Sequence, residues 1–275
     1  MQPVTLPADD RGFLLGDGLF ETLRINAGRP FRLHEHLDRL EAGAELLGIE
    51  LPSGLEERVL AFVAGERGDA ALRITVARGR AGALSGEDAG PSTVALRLAA
   101  VGPRGTSPAR LTAALEGWVD ERALTSGIKG IGYLERIVAL RRARALGADE
   151  ALLRNSRGDV VEGSASNVVA FTAAGVVVSP GPRDGALPGI TRSIVLAEAR
   201  RMGLAVEERG VGVGEFAELH ELLLTSSIRE IAVVTHVGGE PVGEGEPGPL
   251  ADRLWEAFQG VVRSEAEITV SPERR

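Results

Sequence analysis

From Ala151 to Val237 the chain is a succession of short β-like runs broken by turns. Ala151–Arg154, Val160–Val161, Val168–Phe171 and Val176–Ser179 come first, then 205–209, Glu221–Thr225 and Ile231–Val237. Each is a short apolar or alternating segment bounded by Gly, Pro, Asn, Asp or Ser, the pattern of a strand. Three helical stretches punctuate them. Ile131–Leu146 is amphipathic and ends at Gly147, about Thr191–Met202 ends at Gly203, and about Leu250–Val262 precedes a tail, Ser264–Arg275, expected to be frayed.

The first half has a different rhythm. Residues 11–18 read as a glycine-punctuated loop or turn, and Phe20–Asn26 alternates as a strand closed by Ala27-Gly28-Arg29-Pro30. Leu33, Leu37, Leu40, Leu46 and Leu47 recur at helical spacing up to Gly48, and a second helix is predicted over Gly54–Ala64. Strands are predicted at Ala71–Ala77, Thr93–Leu98 and Ala109–Leu115. The class is α+β in two domains, 1–118 and 127–275, with 119–126 as linker.

Composition limits the chemistry. A formal charge of −8 without a basic run argues against nucleic acid or an anionic membrane surface as partner. Zero cysteines exclude disulfides, thiolate metal sites and a cysteine nucleophile, and fit a reducing compartment. His34 and His36, two apart on a helix, face different ways, so no metal site is expected. The first residues have neither a basic nor an apolar signal region, and no apolar run reaches the ~20 residues of a membrane span. The expectation is a soluble cytoplasmic protein.

Of the 31 lysine and arginine residues, only Lys129 is a lysine. Arginine replaces lysine in most surface roles, but it cannot become a neutral primary amine. What needs an amine is covalent chemistry with a carbonyl, a Schiff base; the alternative is a genome that drives Lys toward Arg and left one by chance. Three further stretches carry chemistry. Glu162, after two valines and before a small-residue turn, is either a buried acid facing a cationic nitrogen or a turn-capping glutamate. Leu187-Pro188-Gly189-Ile190-Thr191-Arg192 opens a helix whose free amides and dipole suit a phosphate monoester, or is an ordinary Pro-Gly turn with a Thr cap. Thr225-Ser226-Ser227-Ile228-Arg229-Glu230 follows an apolar run and could cup an anion, or be a hydrophilic loop. Arg39, on the first long helix, could make a forked pair with a phosphate. Singly, each has an ordinary reading. Together, one amine, one acid and two hydroxyl-rich anion cups describe pyridoxal 5'-phosphate (PLP).

The order of these motifs resembles the fold-type IV PLP enzymes, the class IV aminotransferase family. The resemblance runs from Arg11-Gly12 and Gly16-Asp17-Gly18-Leu19-Phe20-Glu21 through His36-Leu37-Asp38-Arg39-Leu40, Gly127-Ile128-Lys129 and Asp149-Glu150-Ala151-Leu152 to Glu162-Gly163-Ser164 and Pro188-Gly189-Ile190-Thr191-Arg192. It implies that Lys129 forms the Schiff base and shuttles the proton, and that Glu162 partners the pyridine nitrogen. Arg39, Ile190, Thr191, Ser226 and Ser227 look like the phosphate cup. Tyr133, four residues after Lys129 and so on the same face of a helical turn, resembles the tyrosine that touches the ring hydroxyl. Phe20 and Ile228 line the substrate pocket on the same reading. Also implied are a small N-terminal domain, a larger C-terminal domain with a barrel-like β core, and a homodimer. The Arg-x-His pair that holds the substrate carboxylate in typical D-amino acid members is absent from Arg78-Gly79-Arg80-Ala81-Gly82. Arg24, Arg78, Arg80 and Arg229 are the arginines weighed for that role. The leading expectation is amino transfer between an amino acid or primary amine and a 2-oxo acid. The alternatives are aminodeoxychorismate lyase and a non-catalytic cofactor-binding protein.

Overall fold

The computed structural model describes residues 5–102 and 104–268. The chain divides into two compact units, Met1–Pro103 with Ile128–Tyr133, and Arg104–Gly127 with Leu134–Arg275.

The first unit comprises α1 (Arg11–Leu15), β1 (Gly18–Asn26), β2 (Arg29–Pro30), α2 (Leu33–Leu47), α3 (Leu55–Val63), β3 (Ala70–Ala77) and β4 (Thr93–Ala100). The strands form one antiparallel sheet in the order β2-β1-β3-β4. Strand alternation decides the core. Leu19, Leu23 and Ile25 of β1 and Leu72, Ile74 and Val76 of β3 are buried in one cluster with Leu33, Leu40 and Ala44 of α2 and Val59 and Val63 of α3. Residues 11–18, read as a loop or turn, begin with α1, whose cap Asp10 accepts from Gly12 N.

In the second unit, β5 (Ala109–Trp118) leads through α4 (Leu134–Ala145) to β6 (Glu150–Arg154). There follow β7 (Val160–Gly163), β8 (Asn167–Thr172), β9 (Val176–Val178), α5 (Ile190–Arg201), β10 (Ala205–Glu207), β11 (Leu219–Ser226), β12 (Glu230–Val237) and α6 (Pro249–Ile268). The sheet order β8-β11-β12-β5-β6-β7 returns to β8, so six strands close a barrel, with β9 and β10 outside the ring. Leu152, Val168, Ala170, Leu222, Leu224 and Val234 fill its interior. Against its outside, Ala139 and Ala143 of α4 pack on Ala114, Ala151 and Leu153. The small alanines let the helix approach the sheet closely, which is why this helix reads as Arg- and Ala-rich.

Three expectations are corrected. β5, grouped from sequence with the N-terminal half, pairs parallel with β12 and β6; a strand's own pattern does not name its partner. The helix expected from Ile131 starts at Leu134, because Ile128–Tyr133 lies extended along β1. The last helix continues through Ile268, so the expected frayed tail is helical over 264–268; the rest of that tail lies outside the described residues. No helix among the described residues is long and apolar enough to cross a membrane.

Helix α6 is anchored by a side chain from another element. Buried Glu221 of β11 accepts from Leu250 N and Ala251 N, one per carboxylate oxygen, each at 2.8 Å. These are amides that the helix cannot satisfy itself. Gly248 is required beside it, since a Cβ there would lie 2.5 Å from the Glu221 carboxylate. Glu221→Ala, which strands both buried donors, is expected to lower stability by about 3 kcal/mol, read from the urea midpoint; Glu221→Gln should lose less.

Candidate active site

The first unit holds Lys129. The segment Ile128–Tyr133 runs beside the start of β1, with Phe20 N donating to Lys129 O at 2.9 Å and Ile131 N to Gly18 O at 3.0 Å. A Cβ on Gly18 would sit 2.5 Å from Val76 O and 2.6 Å from Ile131 Cδ1, so only glycine lets the three strands approach. The lysine backbone is thus fixed by sheet pairing, and its position relative to Tyr133 does not come from a shared helical turn. Both still converge on one ring. Lys129 Nζ lies 4.7 Å from the Phe20 centroid and 5.9 Å from that of Tyr133, and the two rings meet edge to face at 5.1 Å.

An arginine not singled out from sequence completes this group. The Arg73 guanidinium stacks 3.6 Å above the Phe20 ring, and its Nε donates to Thr75 Oγ1 at 3.1 Å. It has no carboxylate partner among the described residues. Burial pulls Arg73 below the ordinary arginine value, with the Tyr133 hydroxyl pushing back and Arg97 adding to the fall. The signal was present: Leu72, Ile74 and Val76 face the core, so Arg73 and Thr75 face the other way, opposite Thr22 and Phe20 in register. Of the four arginines weighed for a carboxylate, Arg24 is tied to Asp69, Arg78 to Asp17 and the carbonyls of Leu47 and Gly48, Arg80 to Asp9, and Arg229 to Glu150.

The core face of β1 carries Glu21, fully buried among apolar neighbours. Arg39 Nε and Nη2 donate to its two oxygens at 2.8 and 2.7 Å, and His36 Nδ1 lies 2.7 Å from Oε2. Burial alone would raise the Glu21 pKa. The hydrogen bonds from His36 and Arg39, with the Arg39 charge, outweigh burial and hold it at about 2. For His36 burial wins over the Glu21 contact, so its pKa falls below the ordinary 6.5. The ring is neutral near pH 7, with Nδ1–H donating to the carboxylate. Arg39, expected at a phosphate, is therefore an arginine whose fork is oriented by Glu21.

The second unit holds Glu162 and the two stretches expected from sequence to cup an anion. Glu162, Asn167 and Thr225 are register partners across β7, β8 and β11. By alternation they point away from the interior cluster of Leu152, Val168 and Leu224. Glu162 is buried; Arg136 Nη2 binds Oε1, and Leu187 N donates to Oε2 at 3.3 Å. Asn167 Nδ2 donates to Leu187 O at 2.7 Å, so the two side chains grip one residue from both sides. That residue leads into α5. A Cβ on Gly189 would fall 1.8 Å from Asn167 Oδ1, so glycine alone can start the helix here. Among the described residues no side chain caps that start, and Thr191 is buried in its first turn. At the next strand end, Thr225 Oγ1 is buried without a hydrogen-bond partner among the described residues, and Ser226 Oγ accepts from Arg229 N at 3.2 Å. Ser227 and Ile228 are half-buried in the turn that follows. An uncapped helix start, an orphaned buried hydroxyl, and a buried carboxylate fit a phosphorylated, cationic heterocycle such as PLP.

Comparison with known proteins decides the family. The profile of amino-transferase class IV matches residues 18–237. The chain belongs to the class IV aminotransferase family. A D-alanine aminotransferase of Bacillus licheniformis is 34% identical over 95% of this chain and 93% of its own. A hypothetical aminotransferase from Mycobacterium tuberculosis, solved in its PLP-bound form, has a TM-score of 0.80 at 26% identity, covering 96% of this chain and 96% of the other. The 4-amino-4-deoxychorismate lyase of Pseudomonas aeruginosa has a TM-score of 0.77 at 31% identity, covering 94% and 96%. The chain is a PLP-dependent class IV aminotransferase with amino and keto acid substrates, and its barrel with a separate antiparallel sheet is the fold-type IV architecture expected from the sequence.

The buried Glu21 gives this aminotransferase an acid-sensitive first unit. Its folded pKa lies below the ordinary 4.5, so its contribution is full above pH 4.5 and is lost as pH falls toward 2. The His36 contribution has the same sign but fades earlier, as the unfolded imidazole takes up a proton below pH 6.5. Glu21→Gln is expected to be less stable at pH 7 by on the order of 3 kcal/mol. The gap to wild type should close between pH 4.5 and 2 in urea titrations.

Proposed function

We propose that this aminotransferase uses Lys129 as its Schiff-base lysine and Arg73 as the receptor for the carboxylate of its amino and 2-oxo acid substrates. Bound PLP supplies an aldehyde that condenses with amines and a protonated ring that withdraws electrons from the substrate Cα. The observation that carries the reading is the group on Phe20: one amine and one guanidinium share a ring, and that guanidinium has no carboxylate partner among the described residues. A substrate carboxylate would supply the missing partner through a charge-assisted pair. Lys129 Nζ then stands on the same side of the sheet to take the Cα proton and return it. Tyr133, edge-on to Phe20, limits how that amine can swing.

In the second unit, Glu162 keeps the pyridine nitrogen protonated. Its carboxylate is held by Arg136 and by Leu187 N and has acceptor capacity beyond these two bonds. The amides of Ile190 and Thr191, the Thr191 hydroxyl, and Ser226 and Ser227 hold the phosphate; Arg39, read from sequence at the phosphate, keeps its Nε and Nη2 on Glu21 in the first unit. Ile228, between Ser227 and Arg229, lines the substrate side of that turn. A cytoplasmic homodimer belongs to the same reading. Exposed Phe13, Leu14 and Leu15 on α1, and Trp118 and Ile137 in the second unit, are apolar surface suited to cover by a second copy, and the chain carries no cysteine.

Likeness to the lyase supports a second reading, cleavage of 4-amino-4-deoxychorismate to 4-aminobenzoate and pyruvate. The two separate in one experiment. Donors such as D-alanine or L-leucine are added to the yellow holoenzyme without acceptor. Amino transfer bleaches the visible band, and pyruvate restores it. Catalytic pyruvate release from aminodeoxychorismate without an acceptor would establish the lyase instead.

Lys129→Ala is expected to cost about 10³-fold or more in turnover with the circular dichroism spectrum unchanged. Retained turnover would remove the assignment. Arg73→Ala should raise KM for carboxylate-bearing donors by about 10- to 100-fold and leave KM for an amine without a carboxylate within about twofold.

A further inference from the structure

The turn joining β11 to β12 is closed by an unusual residue. Ser226 and Glu230 are the last register pair, with Ser227, Ile228 and Arg229 between them. Glu230 has φ of 64°, in the left-handed region that glycine adopts without cost. The described chain uses glycine at seventeen positive-φ positions and a side-chain-bearing residue at three, Ala27, Arg32 and Glu230. Of those three only Glu230 is buried. A turn that needed only its backbone shape would be served better by glycine, so the glutamate side chain is retained for what it holds.

It holds two distant elements. Arg104, which precedes β5, donates from Nε to Glu230 Oε1, and Gln259 of α6 donates from Nε2 to Oε2 at 2.8 Å. On the opposite side of the turn Arg229 N is tied to Ser226 Oγ, and the Arg229 guanidinium lies 3.4 Å from buried Glu150. Glu150 Oε1 in turn accepts from Ser164 N at 3.2 Å, two residues beyond Glu162. The short turn is therefore pinned from its base by α6 and the approach to β5, and from its tip by the Glu162 loop.

We propose that Glu230 is a positioning residue for phosphate binding: clasped by Arg104 and Gln259, it locks the Ser226–Arg229 turn so that its hydroxyls and amides meet the anion already in place. The inference rests on the assignment of Ser226 and Ser227 to the phosphate cup. A locked turn meets its ordering cost during folding, whereas a loose one incurs it at each binding event and binds more weakly.

The test uses the apoenzyme, titrated with PLP and, separately, with inorganic phosphate as a competitor, beside the thermal midpoint of the apo form. Glu230→Gly relieves the backbone and removes the clasp. It is expected to keep the midpoint within about 3 °C while weakening both PLP and inorganic phosphate about tenfold. Gln259→Ala, which leaves the turn sequence untouched, should weaken both about threefold and decides the matter if the glycine variant does not fold. Ser227→Ala is the control for the cup. If Ser227→Ala weakens both ligands and neither Glu230→Gly nor Gln259→Ala does, Glu230 is structural and the proposal is overturned. If Ser227→Ala leaves both affinities unchanged, the phosphate-cup assignment fails, and this proposal falls with it.

Discussion

The barrel closes through Glu162 opposite Asn167. That junction sets a demanding condition, because a carboxylate and an amide now lie buried on the outer face of a strand seam. Neither can stay unpaired. Arg136 supplies a charge for the acid, and Leu187 supplies one donor and one acceptor, N–H to Glu162 and C=O to Asn167. Satisfying the seam therefore fixes the backbone just before α5. With Asn167 against Gly189, the start of α5 is fixed as well. A register slip by one residue would turn Glu162 into the barrel interior and release the helix start in the same step.

The lysine is held by a different device. Its segment lies between two stretches of the second unit in sequence, yet its backbone is a short extra strand of the first. Ser126-Gly127-Ile128-Lys129-Gly130-Ile131-Gly132 has three glycines, poor helix formers, and Gly127 turns the chain at φ of 78°. Helix begins only after Tyr133, where the glycines stop. A lysine on a paired strand has a fixed root and a flexible stem, which is what the role proposed for Lys129 asks for.

How much of this could be read beforehand depends on the kind of information. Alternation in β1 and β3, and helical spacing in α2, are local, and the strands and helices they predict are present within a few residues. Register is not local. Nothing in Ala109–Leu115 distinguishes a fifth strand of the first sheet from a strand of the barrel, and the second is what forms. Likewise Lys129 stands out as the sole lysine, whereas Arg73 is hidden among thirty arginines until pairing places it opposite Thr22 and beside Phe20. Glu230 is invisible for another reason: a backbone dihedral marks it, and sequence shows only an acid after an arginine.

The arginine bias itself becomes intelligible once the acids are located. Glu21 is forked by Arg39, Glu162 faces Arg136, Asp17 is shared by Arg11 and Arg78, and Glu230 is clasped by Arg104. Each is a buried or half-buried carboxylate whose partner must stay charged in a poorly solvated place, and guanidinium does so where an ammonium would lose its proton more readily. Such pairs give structure, because each charge is satisfied by the other. The two cations on Phe20 are of another kind. On the proposed reading Lys129 supplies an amine able to give up its proton, which arginine chemistry does not offer, and Arg73 supplies a fixed charge for the substrate carboxylate. The proposed chemistry calls for one amine that can give up its proton, and it falls on the chain's single lysine.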